Sequence, residues 1–304
     1  IVNLINELEA TDDVGSLIAE DVSENEKRLL SIVSAADGRQ AGGDLLRVQR
    51  HQSNVLFNVM RGGIPIRHYF VSGSDFHRHL LHFNRDAAQR NAGLLDSLAA
   101  EPSLDLDGLL AQTLECGDAD LQRIALEYLP LTYSRRHGDP TRPWNNFTID
   151  FSKAGRSDSP CYEGNWRDIF QNWEALAFSF PGFLRGMVFR FLNASTADGY
   201  NPYRVNQDGF EWETVDPDDP WGNIGYWGDH QIIYLLKLLE AWKDFHPSSL
   251  DQWLASECCV YAQVPYRIRD YGSIQRNPQE TIDFDVQLAD LIEERVTQIG
   301  RAHV

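Results

Sequence analysis

Positive charge is scarce in this 304-residue chain: 27 lysines and arginines stand against 45 aspartates and glutamates, a net charge of −18 at pH 7. Phosphate backbones and anionic membrane surfaces are held by clusters of lysine and arginine, so nucleic acid and membrane are not expected as partners. No apolar run approaches the roughly 20 residues that a membrane span requires. Cysteine is equally sparse. Cys258 and Cys259 are adjacent while Cys116 and Cys161 stand alone, which forms neither a metal-type CxxC pair nor a disulfide framework and points to a reducing, cytoplasmic setting. His77, His79 and His82 lie along one segment, yet no neighbouring carboxylate completes a metal site, and packing is the reading given to them. The chain opens on Ile1 with no signal peptide, and it is expected to be cut from something longer.

What is present suffices for a substantial core. Hydrophobic residues make up 42% of the chain and aromatics 11%, and the length allows one large domain or two. From Ile1 to about Gly38 the apolar residues recur at helical spacing. Between Leu45 and Val71, VLFNVMRGGIPIRHYFV reads as a short hairpin or pair of strands, a small β element near residues 51–72. A boundary is placed near Ser72, so that residues 1–72 form an N-terminal segment and residues 73–298 the main domain. Ser72 or Ser74 opens a helix reaching to about Leu98. Helices follow from Leu104 to Cys116 and from Asp118 to Arg136. Ser248 to Ser256 reads as helix, VYAQVPYRIRDYGS as extended, and Glu280 to Gln298 as helix again. The last residues, Ile299 to Val304, read as the translation of a sequencing adapter (ATC GGA AGA GCA CAC GTC), and residues 299–304 are expected not to be native.

The chemistry concentrates between Gly164 and Trp242. Two apolar helices there open on the same local text, an aromatic and glycine-rich approach followed by an aspartate: Trp166-Arg167-Asp168 in the first, Tyr226-Trp227-Gly228-Asp229 in the second. If helices run alternately up and down, both aspartates share one rim. The loop from Ser195 to Gly225 is expected on that rim too. It is long for a connection without regular structure but rich in Tyr200, Tyr203, Phe210, Trp212 and Trp221, interleaved with carboxylates and amides such as Asn201. Aromatic faces stack on the C–H faces of sugars, and carboxylates and amides meet their hydroxyls. A surface loop pinned to the helices by its aromatics is the competing reading. Asp139, Arg142, Trp144 and Asn145 can face the same rim.

An aspartate at a helix start is ordinarily a cap, whereas a general acid for a glycosidic oxygen needs a raised pKa. Trp221, Tyr226 and Trp227 can wall Asp229, and Glu211 or Glu213 can supply a like charge. Arg167 and Asp168, with Gln171 one turn on, can bracket vicinal hydroxyls. The helix after Asp229 is apolar on more than one face and is expected to be buried. Broad apolar helices alternating with return helices suit the inner and outer rings of an α/α toroid; an ordinary bundle is the rival architecture.

WRDIFQNWEAL, an aromatic loop, then GYWGDHQIIYLL resembles the catalytic domain of inverting disaccharide phosphorylases of the cellobiose and chitobiose phosphorylase type, in the six-hairpin glycosidase class. Longer phrases, including GNWRDIFQNWEAL and NASTADGYNPYR, are similar to long bacterial proteins of unassigned activity. The resemblance covers roughly residues 164–242. It implies a mainly α, α/α-toroid fold, here a truncated ring over residues 73–298, with sugar contacts from Arg167, Asp168 and Gln171 and the acid at Asp229. It departs at Asn172 and at His230, where the family has aspartates. The expectation is inverting cleavage of glycosidic bonds, by hydrolysis or by phosphorolysis with inorganic phosphate as co-substrate. Glu211 and Glu213 are the candidate bases. Trp166, Tyr200, Asn201, Tyr203, Trp212, Trp221, Trp227 and His230 are the further candidate substrate contacts for an oligosaccharide. No metal or organic cofactor is expected. A non-catalytic carbohydrate-binding or scaffold toroid is the alternative.

Overall fold

The structure, a computed structural model, describes residues 2–10, 13–37, 42–132, 162–212, 231–278 and 280–299. The chain divides into two compact units, Ile1–Phe57 and Asn58–Val304. Among the described residues it is mainly helical with small antiparallel sheets, and no helix is long and apolar enough to cross a membrane.

The first unit holds α1 (Val2–Ala10), α2 (Val14–Ala35) and most of α3 (Leu45–Gly62). Asp13 caps α2 by accepting from Ser16 N at 2.9 Å, which satisfies one of the free N–H groups of the first turn. The segment expected as strands is largely α3. Val55 and Val59 are both buried and four residues apart, the spacing of one helical face. That spacing outweighs the β-branched composition. Only Ile64–Pro65 (β1) is a strand, and its partner is Leu131–Thr132 (β2) rather than a hairpin neighbour.

In the second unit the expected long helix after Ser72 is three: α4 (Gly73–Phe83), α5 (Arg85–Arg90) and α6 (Ala92–Ala100). Ser72 accepts from Asp75 N at 3.2 Å, and Asn84 starts a second helix by accepting from Ala87 N at 2.9 Å. Asp105 and Asp118 do the same for α7 (Leu106–Glu115) and α8 (Ala119–Leu126). The expected extension of α8 to Arg136 stops at Leu126, four residues before Pro130, which bars its predecessor from helical backbone. Arg90 donates to Asp118 at 2.9 Å and to Asp120 at 2.8 Å, clamping α5 to the start of α8. These contacts hold the Asp118 carboxyl down at about 2, chiefly through the Arg90 hydrogen bond. Phe76, Leu80, Leu95, Leu98, Leu109 and Ile124 fill the space between.

Gly73 is where two backbones meet. A Cβ there would strike the Leu98 carbonyl and the Ala99 nitrogen, backbone atoms that cannot swing aside. Gly73→Ala is therefore expected to lower stability by about 1–3 kcal/mol, read as a fall in the urea midpoint.

The second half of the unit is built on β3 (Glu163–Asn165), α9 (Trp166–Ala177), a 3-10 turn at Pro181–Phe183, α10 (Leu184–Ala194) and α11 (Gln231–Phe245). β3 pairs antiparallel with β4 (Arg204–Asn206), which pairs with β5 (Gly209–Glu211). The loop expected to lack regular structure thus carries a hairpin in its first half. The helix buried nearly all round is α10, not α11. On α11 Leu235, Leu238, Ala241 and Trp242 are buried, while Ile232, Ile233 and Leu236 are exposed. Its apolar sequence shows a demand for cover on every side, and α9 and α10 supply it on one. After α12 (Pro247–Leu254), β6 (Tyr266–Ile268) and α13 (Tyr271–Arg276), residues Ile282–Phe284 form β7 against β6 where helix was expected. The last helix, α14 (Val286–Ile299), starts after Asp285, whose side chain accepts from Leu288 N at 3.0 Å.

Candidate functional site

The direction of α9 and α11 decides whether two helix starts can share a rim. Phe178, just past α9, packs edge-on against Phe245 at the end of α11, with ring centroids 5.9 Å apart. Earlier in both, one turn back in α9 and two in α11, Glu174 acts electrostatically on Lys237. The two contacts follow in the same order along both helices, so α9 and α11 run parallel. From Phe178 back to Trp166 and from Phe245 back to Ile233 are equal numbers of residues. At ~1.5 Å per residue both helices therefore begin at one end, about 18 Å from the phenylalanine pair.

At that end α9 is tied to the three-stranded sheet: Trp166 N donates to Tyr203 O at 2.9 Å, and Tyr203 N to Glu211 O at 2.9 Å. Alternation along each strand divides the side chains. Val205 and Phe210 face the core, with Phe210 against the Trp166 ring at 5.9 Å. On the opposite face Glu163 lies across from Asn206, and Asn165 across from Arg204, which in turn lies across from Glu211. Arg204 Nη1 reaches Glu163 Oε1 at 2.9 Å and Glu211 Oε2 at 3.3 Å. Asn206 Nδ2 donates to Glu211 Oε1 at 3.4 Å.

Partial burial pushes the Glu163 carboxyl above its ordinary value; Arg204 opposes the shift and Glu211 adds to it. A carboxyl whose pKa is higher folded than unfolded binds its proton more tightly in the native state, so it takes stability away as pH rises. The window opens at the ordinary value of 4.5 and extends upward. Urea unfolding across that window is expected to show a shallower loss of stability with rising pH in Glu163→Gln than in the parent; a steeper loss in the variant would contradict the assignment.

The candidate residues fall into three groups. Arg167 and Asp168 stand at the open end of α9, Arg167 Nε at 3.6 Å from Asp168 Oδ1, and Gln171 is exposed one turn on. Tyr203 and Glu211 join them through the sheet, Tyr203 exposed under Arg204. Others are enclosed. Trp166 is in the core against Phe170 at 4.6 Å and Phe191 at 5.0 Å. Tyr200 is buried beside Trp212 and Tyr266, and Trp212 stacks on Tyr266 at 6.2 Å and 16°. Asn201 is bonded within its own turn, accepting from Ser195 Oγ at 2.7 Å. Glu213, Trp221, Trp227, Asp229 and His230 lie outside the described residues, as does the loop from His137 to Phe151.

Asn172, where the phosphorylase pattern has aspartate, is buried and accepts from Arg61 Nη2 at 3.1 Å. His79 packs on Phe83 and Tyr128, and His82 on Phe83. Sequence reasoning passed over Glu163 and Asn165. Their signal was the alternation Glu-Gly-Asn directly before Trp166, a short strand hidden in what read as the approach to a helix.

Behind the rim, α10 joins it to residues 73–127. Asn193 Nδ2 donates to the fully buried Glu127 at 3.1 Å, and Arg190 packs over the Phe83 ring. This is a helical protein with a charged, aromatic-flanked sheet at the common start of two parallel helices. Residues 67–130, spanning α4 to α8, match the family model described as glycoside hydrolase family 149 insertion domain 1. That stretch is related to glycoside hydrolase family 149. No curated protein matches the chain.

Proposed function

We propose that this chain acts on glycosides, cleaving glycosidic bonds with inversion at the common end of α9 and α11. The observation that carries this reading is the match of residues 67–130 to an insertion domain of a glycoside hydrolase family, inside the compact unit that holds both helices. Family 149 is a phosphorylase-related glycoside hydrolase family, in keeping with either water or inorganic phosphate as nucleophile. In this mechanism Asp229 protonates the leaving oxygen while Arg167, Asp168 and Gln171 hold sugar hydroxyls. Attack comes from the opposite face. For water, Glu211 or Glu213 serves as base, about 6.5–9.5 Å from the acid; for phosphate no base is needed.

Tyr203, Trp212, Trp221, Trp227 and His230 offer ring faces and hydrogen bonds to the substrate. The enclosed Trp166, Tyr200 and Asn201 serve by fixing the rim. The proposed architecture is an incomplete α/α toroid over residues 73–298.

A non-catalytic sugar-binding protein is the second reading. It is favoured by Asn172, an amide held by Arg61 where a carboxylate is expected, and by a match that covers an insertion domain. A screen of β-linked glucans and disaccharides, with and without phosphate, separates the two. The proposal expects release of a reducing sugar or a sugar phosphate. Binding without turnover selects the second reading, and neither binding nor turnover removes both.

A further inference from the structure

We propose that the outer face of the β3–β4–β5 sheet is a second sugar subsite, which takes the continuing residues of a neutral oligosaccharide whose cleaved end lies at the start of α9. The inference rests on the glycoside reading above. Its first support is chemical. Glu163, Asn165, Arg204, Asn206 and Glu211 present acceptors and donors on one face, and the exposed Tyr203 ring lies beneath Arg204. Three strands at about 4.8 Å spacing make this face roughly 10 Å across.

The second support is an unmet donor. Arg204 Nη1 is engaged by both carboxylates, but Arg204 Nε is buried with no hydrogen-bond partner among the described residues. A buried N–H left unpaired keeps the cost of its lost hydration, and a hydroxyl oxygen arriving on this face relieves it.

Third is continuity. Asn165, on the outer face opposite Arg204, is the last residue of β3 and directly precedes Trp166, so the face adjoins the helix start that carries Arg167 and Asp168. Charge then selects the ligand class. Two carboxylates against one guanidinium, in a chain of net charge −18, repel phosphorylated or acidic glycans and suit an uncharged one. If the cluster served only to fix strand register, its loss would act equally on every ligand.

Calorimetric titration of the full chain with β-linked gluco-oligosaccharides, from disaccharide to hexasaccharide, tests this. The parent is expected to bind more tightly as the chain lengthens. In Glu163→Gln, Arg204→Met and Tyr203→Ala, the hexasaccharide is expected to weaken about tenfold, the loss of one charge-assisted hydrogen bond or ring contact, and the disaccharide by much less. Tyr203→Ala alters an exposed ring and keeps the test valid if either charge variant fails to fold. Variants that keep the parent's gain with chain length, or that lose equally at every length, overturn the subsite while the glycoside reading stands. A parent that binds none of the series overturns both.

Discussion

Asp229→Asn is expected to cut turnover of the best glycoside substrate about 10²- to 10⁴-fold, the contribution of a positioned general acid, with sugar affinity nearly unchanged. Asparagine matches aspartate in shape and keeps hydrogen-bonding capacity, but it has no proton to give a leaving oxygen. The loss therefore falls on kcat while titrated binding is retained, the pattern of a group that acts only in the transition state. An activated fluoride or nitrophenyl glycoside, whose leaving group needs little protonation, is expected to recover much of the lost rate. Undiminished turnover of a natural glycoside in this variant would remove Asp229 from the role. If the glycosidic bond is broken by phosphate, the same variant slows both cleavage and its reverse, because one acid serves the two directions.

Helix starts were the most legible part of this chain. Ser72, Asn84, Asp105 and Asp118 each carry a short polar side chain that reaches back to a free N–H, a local interaction needing no tertiary partner. One of them, Asn84, marks a break that apolar periodicity had run together, while the start at Asp105 falls within a residue of the Leu104 expected. Less legible was anything decided by pairing across the chain. β1 finds its partner more than sixty residues later, and Ile282–Phe284 became a strand because β6 offered it an edge. In the described part of the 195–225 loop, residues 195–212, which carries β4 and β5, the aromatic rings had two fates that composition cannot separate. Phe210 faces the core while Tyr203, seven residues earlier, stays exposed. Phe210 lies within β5 opposite Val205, whereas Tyr203 lies one residue before β4, at the edge beside Arg204, and that difference could be read only once β4 and β5 were placed against β3. The same holds for Glu163. In sequence it is one carboxylate among many; across the sheet it shares a guanidinium with Glu211.

Arg190→Ala is expected to destabilise the protein by about 3–5 kcal/mol, the largest stability effect of the changes considered. Arg190 is fully buried in α10. Its guanidinium lies over Phe83, Tyr162 and Phe210, at 5.5, 5.6 and 5.0 Å from the ring centroids, and Nη2 donates to Asn206 O at 2.6 Å. Truncation removes the side chain from between three rings and leaves the Asn206 carbonyl without this donor. Arg190→Met separates the two losses. Methionine fills much of the volume and removes a buried charge, so it is expected to regain more than half of the lost stability, measured by urea unfolding. It cannot hold the turn between β4 and β5. Because Arg204 and Glu211 flank that turn, the methionine variant is expected to keep its fold yet bind long oligosaccharides more weakly than the parent. Equal stability of the alanine variant and the parent would mean that Arg190 contributes no net packing. Parental stability with weakened binding in the methionine variant would locate its contribution in the positioning of the hairpin.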